Sequence, residues 1–168
     1  ITVNGVSKAY AMTGWRVGYI GAPLWIAKAC NKLQGQFTSG VSTIAQRAAL
    51  AAIEGKDNSR QLMREAFHRR RDLICNLLMT IPGIKVPVPQ GAFYVMPDIS
   101  FYLGKSDGKV TIRTSDDLAL YLLDRAKVAV VGGDAFGAPS CIRISYANSD
   151  DLLKEAVARI GTALSDLK

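Results

Sequence analysis

The stretch Gly5-Val6-Ser7-Lys8-Ala9-Tyr10-Ala11-Met12-Thr13-Gly14-Trp15-Arg16-Val17-Gly18-Tyr19 constrains this chain more than any other. Its glycines at 5, 14 and 18 belong where backbone turns sharply or approaches something that a side chain would strike. Residues 1–6 and 16–21 read as two short strands, so the segment between them is a turn held at both ends. That turn carries an amine, Lys8, and the strand after it begins with a guanidinium, Arg16. A lysine that forms an imine must spend time unprotonated, and a cationic neighbour helps bring its pKa down from about 10.4. Arginine also grips a phosphate bidentately, which lysine does not. The pair therefore suits a ligand bearing both an aldehyde and a phosphate. For an isolated match, a surface lysine and arginine beside a glycine turn would be the plainer reading, and the rest of the chain argues against it.

Late in the sequence, Val128-Ala129-Val130-Val131 leads through a glycine-rich loop to Phe136-Gly137 and then to Cys141-Ile142-Arg143-Ile144-Ser145-Tyr146. Alternation puts Ile142, Ile144 and Tyr146 on one face of a strand and Cys141, Arg143 and Ser145 on the other, so Arg143 turns away from the apolar side. Between these regions, Pro89-Gln90-Gly91-Ala92-Phe93-Tyr94 fits either the wall of a ligand cleft or a strand entering the core after a proline turn.

Helices are expected over residues 23–33, over 42–54 with Ser42 as N-cap and Gly55 as stop, and over 60–79. Two more are expected over 115–127, with acidic residues at the positive end, and from Ser149 onward. Strands are expected over 84–88, 92–96, 128–131 and 141–146, with proline and glycine punctuation between the first two. No internal repeat or low-complexity segment interrupts this order.

With 168 residues, 49% of them hydrophobic and 21% charged, the chain can bury a core and form one or two modest domains. It has no long apolar run and no basic-then-apolar start, so neither membrane insertion nor secretion is indicated, and the expected compartment is cytoplasmic. Cys30, Cys75 and Cys141 are odd in number with no close pair, which argues against a disulfide framework and a zinc knuckle; they read as small buried hydrophobes. His68 is the single histidine, which leaves no material for a Ser-His-Asp triad or a multi-histidine metal site. The net charge of +7 raises nucleic acid as a partner. Its densest run, His68-Arg69-Arg70-Arg71, lies in a helix whose apolar stripe is Leu62, Met63, Ala66, Phe67, Leu73, Ile74, Leu77 and Leu78, and so reads mostly as a solvated helix face. No basic strand with interleaved aromatics is present, so no nucleic-acid partner is expected.

Together these stretches resemble the class I pyridoxal-phosphate-dependent aminotransferases of fold type I, in the aspartate aminotransferase family, over essentially the whole chain. The resemblance implies a C-terminal portion of such an enzyme with an α/β fold. Residues 1–55 would be the tail of the large cofactor-binding domain, and 56–168 the small C-terminal α+β domain of helices packed on a sheet, with substrate bound between domains. It implies pyridoxal 5'-phosphate as cofactor, with Lys8 as the catalytic residue and covalent anchor and Arg16 on the phosphate. Arg143 would grip the α-carboxylate of amino-acid and 2-oxo-acid substrates, aspartate among them. It further implies a homodimer in full-length form, no metal and no membrane. Upstream segments of the family supply further cofactor contacts, so the isolated chain is expected to be inactive.

Three positions depart from the family pattern. Gly5 replaces a serine that often touches the phosphate, Gly132-Gly133 replaces a loop that usually contains proline and is expected to be more flexible, and Gly35-Gln36-Phe37-Thr38-Ser39 lacks an arginine that one branch uses for a second carboxylate. Sharing this core are aromatic and branched-chain aminotransferases, carbon-sulfur lyases, cyclopropane-forming synthases and the aminotransferase-like ligand-sensing domain of a transcription regulator.

Overall fold

The computed structural model describes all residues, 1–168. The chain forms two compact units, Ile1–Leu62 and Met63–Lys168. The division falls inside a helix, a few residues after the 55/56 boundary that the resemblance implies for the domains.

In the first unit, β1 (Thr2–Gly5) and β2 (Gly18–Gly21) form an antiparallel ribbon in the register Thr2↔Gly21 to Gly5↔Gly18. At its closed end Gly5 lies too close to the neighbouring strand for a side chain: a Cβ there would lie 2.9 Å from the carbonyl oxygen of Val17. Two helices follow, α1 (Leu24–Phe37) and α2 (Thr43–Glu54). Pro23 and Ser42 stand at their N-caps, although the Ser42 hydroxyl makes no capping bond. Helix α1 runs four residues beyond its expected end, since nothing in Gln34-Gly35-Gln36-Phe37 stops it before Thr38, whose N–H bonds back to Gln34. Only Val6, Ala45 and Ala49 of this unit are buried apolar residues.

Helix α3 (Ser59–Met79) leads into the second unit. Its buried stripe there is Ile74, Cys75 and Leu78, with Phe67 and Leu77 packed against the same core. The three-stranded antiparallel sheet has the order β3-β5-β4, with β3 at Tyr94–Val95, β4 at Val131–Gly132 and β5 at Ile142–Ser145. Central β5 pairs Ile144 with Val95 and Arg143 with Val131. Ile142, Ile144 and Tyr146 are buried, as the alternation predicts. The strand expected over 84–88 is reduced to a single bridge, Lys85↔Asp98, and β3 to two residues. Pro87 and Pro89 explain the first loss, since neither can donate to a ladder. Residues 128–130 run as an unpaired approach to β4.

Helix α4 (Ser115–Arg125) starts at a capping box: the Asp117 N–H donates to Thr114 Oγ1, and the Asp117 carboxylate accepts from the Thr114 N–H. The cap is thus Thr114, one residue before the expected start, because its side chain reaches the free N–H groups of the first turn. Helix α5 (Asp150–Ser165) is capped by Ser149 and buries Leu153, Val157, Ile160 and Leu164 at helical spacing, leaving Lys154, Glu155 and Arg159 outside.

The basic run on α3 is a helix face in ion pairs rather than a free patch. Arg69 and Arg70 both engage Asp150, and Arg71 and His68 engage Asp72. Of the three cysteines only Cys75 is fully buried; Cys141 is half-buried and Cys30 is exposed, against the expectation that all three are core residues. Cys30 lies on α1, none of whose residues is buried.

Candidate active site

Lys8 and Arg16 line one hollow of the first unit. Between β1 and β2 the chain makes a turn over residues 6–11 and a short 3-10 turn, Thr13–Trp15. Val6 is buried beneath this turn and bonds to the Val17 carbonyl, so the segment is tied down at the base while Lys8 remains exposed above it. Tyr10 and Ala11 donate backbone hydrogen bonds to the carbonyls of Val6 and Lys8, which closes the turn. Arg16 ends the 3-10 turn in the left-handed region, at φ 54 and ψ 50, and its Nη1 donates to the Thr13 carbonyl at 2.9 Å. A β-carbon is disfavoured in this conformation. The turn therefore holds an arginine where glycine would be easier. The open hollow of about 490 Å³ is lined by Asn4, Gly5, Ser7, Lys8, Arg16 and Gly18, among others. Gly5 contributes no side chain to it and cannot carry one without striking the Val17 carbonyl.

Outside the turn, Tyr10 is held by Arg60: Arg60 Nη1 donates to the Tyr10 hydroxyl at 3.0 Å, and its guanidinium carbon lies 5.5 Å from the ring centroid. The sequence offers no cue to this contact, because the two residues are fifty positions apart.

Arg143 belongs to the second unit and projects from the face of β5 opposite Ile142 and Ile144, half-buried. Its guanidinium carbon lies 4.4 Å from the Tyr94 ring centroid and 4.3 Å from that of Phe136. It forms no ion pair and no hydrogen bond with the protein. Phe93, weighed from the sequence as a cleft wall, packs with Phe67 at 5.9 Å and against the core, while Tyr94 turns to Arg143. Tyr146 is buried beside Phe67 and donates from its hydroxyl to the Ala92 carbonyl at 3.1 Å; burial raises its pKa.

The Gly132-Gly133 pair is packed rather than flexible. A Cβ on Gly133 would lie 2.0 Å from the Ala138 carbonyl oxygen and 2.4 Å from that of Cys141, and its N–H bonds to both the Cys141 carbonyl and the buried Ser115 hydroxyl. Gly132 has φ −61 and ψ 147, a conformation that proline shares, and the space its side chain would take is occupied by the Asp116 carboxylate.

The profile of the aminotransferase class I and II family matches residues 1–160. The chain is 50% identical over its full length to the bifunctional aspartate aminotransferase and glutamate/aspartate-prephenate aminotransferase of Petunia hybrida, of which it covers 36%. It is 49% identical to an aspartate/prephenate aminotransferase of Cereibacter sphaeroides over 95% of the chain and 40% of that protein. Among solved structures, the aspartate aminotransferase from Rhizobium meliloti superposes with a TM-score of 0.95 at 48% identity, over 99% of this chain and 42% of that one. The chain thus spans about two fifths of the length of these relatives. That coverage does not by itself place the span at their C-terminal end, as the resemblance implied. With 160 of its residues inside the family profile and its fold matched throughout, the chain belongs to the aminotransferase class I and II family.

Proposed function

We propose that this chain is part of a pyridoxal-phosphate-dependent aminotransferase that moves an amino group from an amino acid, aspartate foremost, to a 2-oxo acid. Aspartate is favoured by the names of the relatives, and the names of the Petunia hybrida and Cereibacter sphaeroides proteins also include prephenate. The observation that carries the reading is the hollow that Lys8 and Arg16 line together, with Gly5 leaving its floor bare. Its donor set fits a ligand with an aldehyde and a phosphate. Lys8 Nζ is the nucleophile for the carbonyl carbon, and the Arg16 guanidinium is a bidentate partner for phosphate oxygens.

Each residue then has a role. Arg16 would hold the phosphate through its planar guanidinium. Lys8 would hold the cofactor covalently, and its amine would be the base that carries the proton from the substrate Cα. Arg143 binds the α-carboxylate and so orients the Cα bonds. The cofactor, when bound, supplies an electron sink for the Cα–H bond that breaks. In this reading the first unit is the tail of the cofactor-binding domain, the second is the small domain, and the full-length enzyme is a cytoplasmic homodimer.

Borohydride reduction of the full-length protein with pyridoxal phosphate, followed by peptide mapping, tests the assignment. The label is expected on Lys8. A label on another lysine with Lys8 unmodified overturns it.

A further inference from the structure

Arg143 differs in its surroundings from the five arginines of its unit that lie in ion pairs. Arg69, Arg70, Arg71, Arg125 and Arg159 each lie against a carboxylate. Arg143 lies against two aromatic rings and no anion. The rings arrive from the two strands that flank β5. Tyr94, on β3, is paired with Ser145, two residues along from Arg143 on the same face, and such diagonal neighbours are within reach of long side chains. Phe136 ends the 3-10 turn that follows β4, whose Val131 pairs with Arg143 itself. The position of Phe136 depends in turn on Gly133, which opens that turn and has no room for a side chain.

The two kinds of neighbour act differently on a guanidinium. A carboxylate stabilises the cation by occupying its N–H groups and cancelling its charge. An aromatic face stabilises the cation through the ring quadrupole and leaves charge and N–H groups available. Two such faces also limit the rotation of a long, flexible side chain, which lowers the entropy lost when a ligand docks.

We propose that Tyr94 and Phe136 are positioning residues that hold the Arg143 guanidinium charged and unpaired, with its N–H edge presented to a planar carboxylate. This rests on the reading of Arg143 as the substrate's carboxylate partner. Replacing either ring by an aliphatic side chain weakens amino-acid binding by roughly two- to thirtyfold, the range of a cation–aromatic contact. Retention of the cofactor and the limiting rate of Cα–H cleavage change much less.

The test uses single-turnover half-reactions of the full-length protein, which separate substrate affinity from rate, beside cofactor titration by absorbance. The variants are Tyr94→Leu, Phe136→Leu, the ring-retaining Tyr94→Phe and Phe136→Tyr, and Arg143→Lys. Loss of affinity in both leucine variants and Arg143→Lys, with near-native affinity in the ring-retaining pair, is the expected result. If Arg143→Lys loses affinity but the leucine variants do not, the aromatic clamp is overturned and the assignment of Arg143 stands. If Arg143→Lys leaves affinity unchanged, the carboxylate assignment falls and the clamp with it. Should a leucine variant not fold, fluorinated phenylalanine at 136 weakens the ring quadrupole at nearly constant volume. Affinity must then fall with each added fluorine, and a flat response overturns the proposal.

Discussion

Arg143 was legible as a residue turned from the core because the apolar alternation around it involves positions two apart. Its surroundings were not, because Tyr94 and Phe136 reach it only through strand pairing. Replacing Arg143 by lysine keeps the charge but removes the planar fork. In the full-length enzyme this is expected to cost about 1.5–3 kcal/mol of substrate binding, the worth of a charge-assisted contact, with cofactor affinity retained. Half-reaction kinetics measure both. Gly133 carries the opposite lesson. Beside Gly132 it reads as a flexible joint, yet both hydrogen-bond partners and close backbone oxygens fix it. Gly133→Ala forces backbone to move and is expected to destabilise the second unit by about 1–3 kcal/mol or more, read as a lower denaturation midpoint. Gly5 is comparable: the missing serine of the family pattern is a position where this ribbon has no space for a side chain.

Among elements, the helices were read best. Amphipathic spacing and caps involve residues within a turn or two of each other, so α2, α3 and α5 fall within a residue of expectation at most of their ends. The strands were read too long, because a strand exists only where a neighbour pairs with it, and the prolines at 87 and 89 removed donors on one side. The capping box of α4 supports a test of its own. Thr114→Ala removes one half of it and is expected to cost about 1 kcal/mol, measured by urea titration. Hydrogen bonds from the Arg113 and Thr114 N–H groups hold the Asp117 carboxyl below its ordinary pKa, the Arg113 bond foremost. A carboxyl depressed in the folded state contributes stability above its unfolded pKa of about 3.9, and that contribution is lost as pH falls through the lower folded value. The stability gap between the parent and Asp117→Ala is therefore expected at neutral pH and narrows in acid, which melting curves across pH resolve. Asp150, held low mainly by its hydrogen bond to Arg69, adds to the same acid loss.

At the scale of the whole chain, the two units differ in how well they close. The second buries a continuous core from Ile74 to Leu167. The first leaves Trp25 74% and Phe37 83% exposed, beside Leu24, Leu33 and Ile44. A chain spanning about two fifths of its relatives, with that much apolar surface, is expected to self-associate in isolation. Sedimentation velocity over a concentration series should show species larger than monomer, and a monomer at all concentrations would contradict this. No helix is long and apolar enough to cross a membrane. The sequence by itself determined the helices, the facing of β5 and the chemistry offered by Lys8, Arg16 and Arg143, because each follows from a residue's own groups and its near neighbours in the chain. Only the tertiary structure decided which strands find partners, that Asp150 pairs with Arg69 and Arg70, that Gly133 is packed rather than loose, and that two rings lie against Arg143. Each of these depends on residues far apart in sequence whose meeting is set by the core between them.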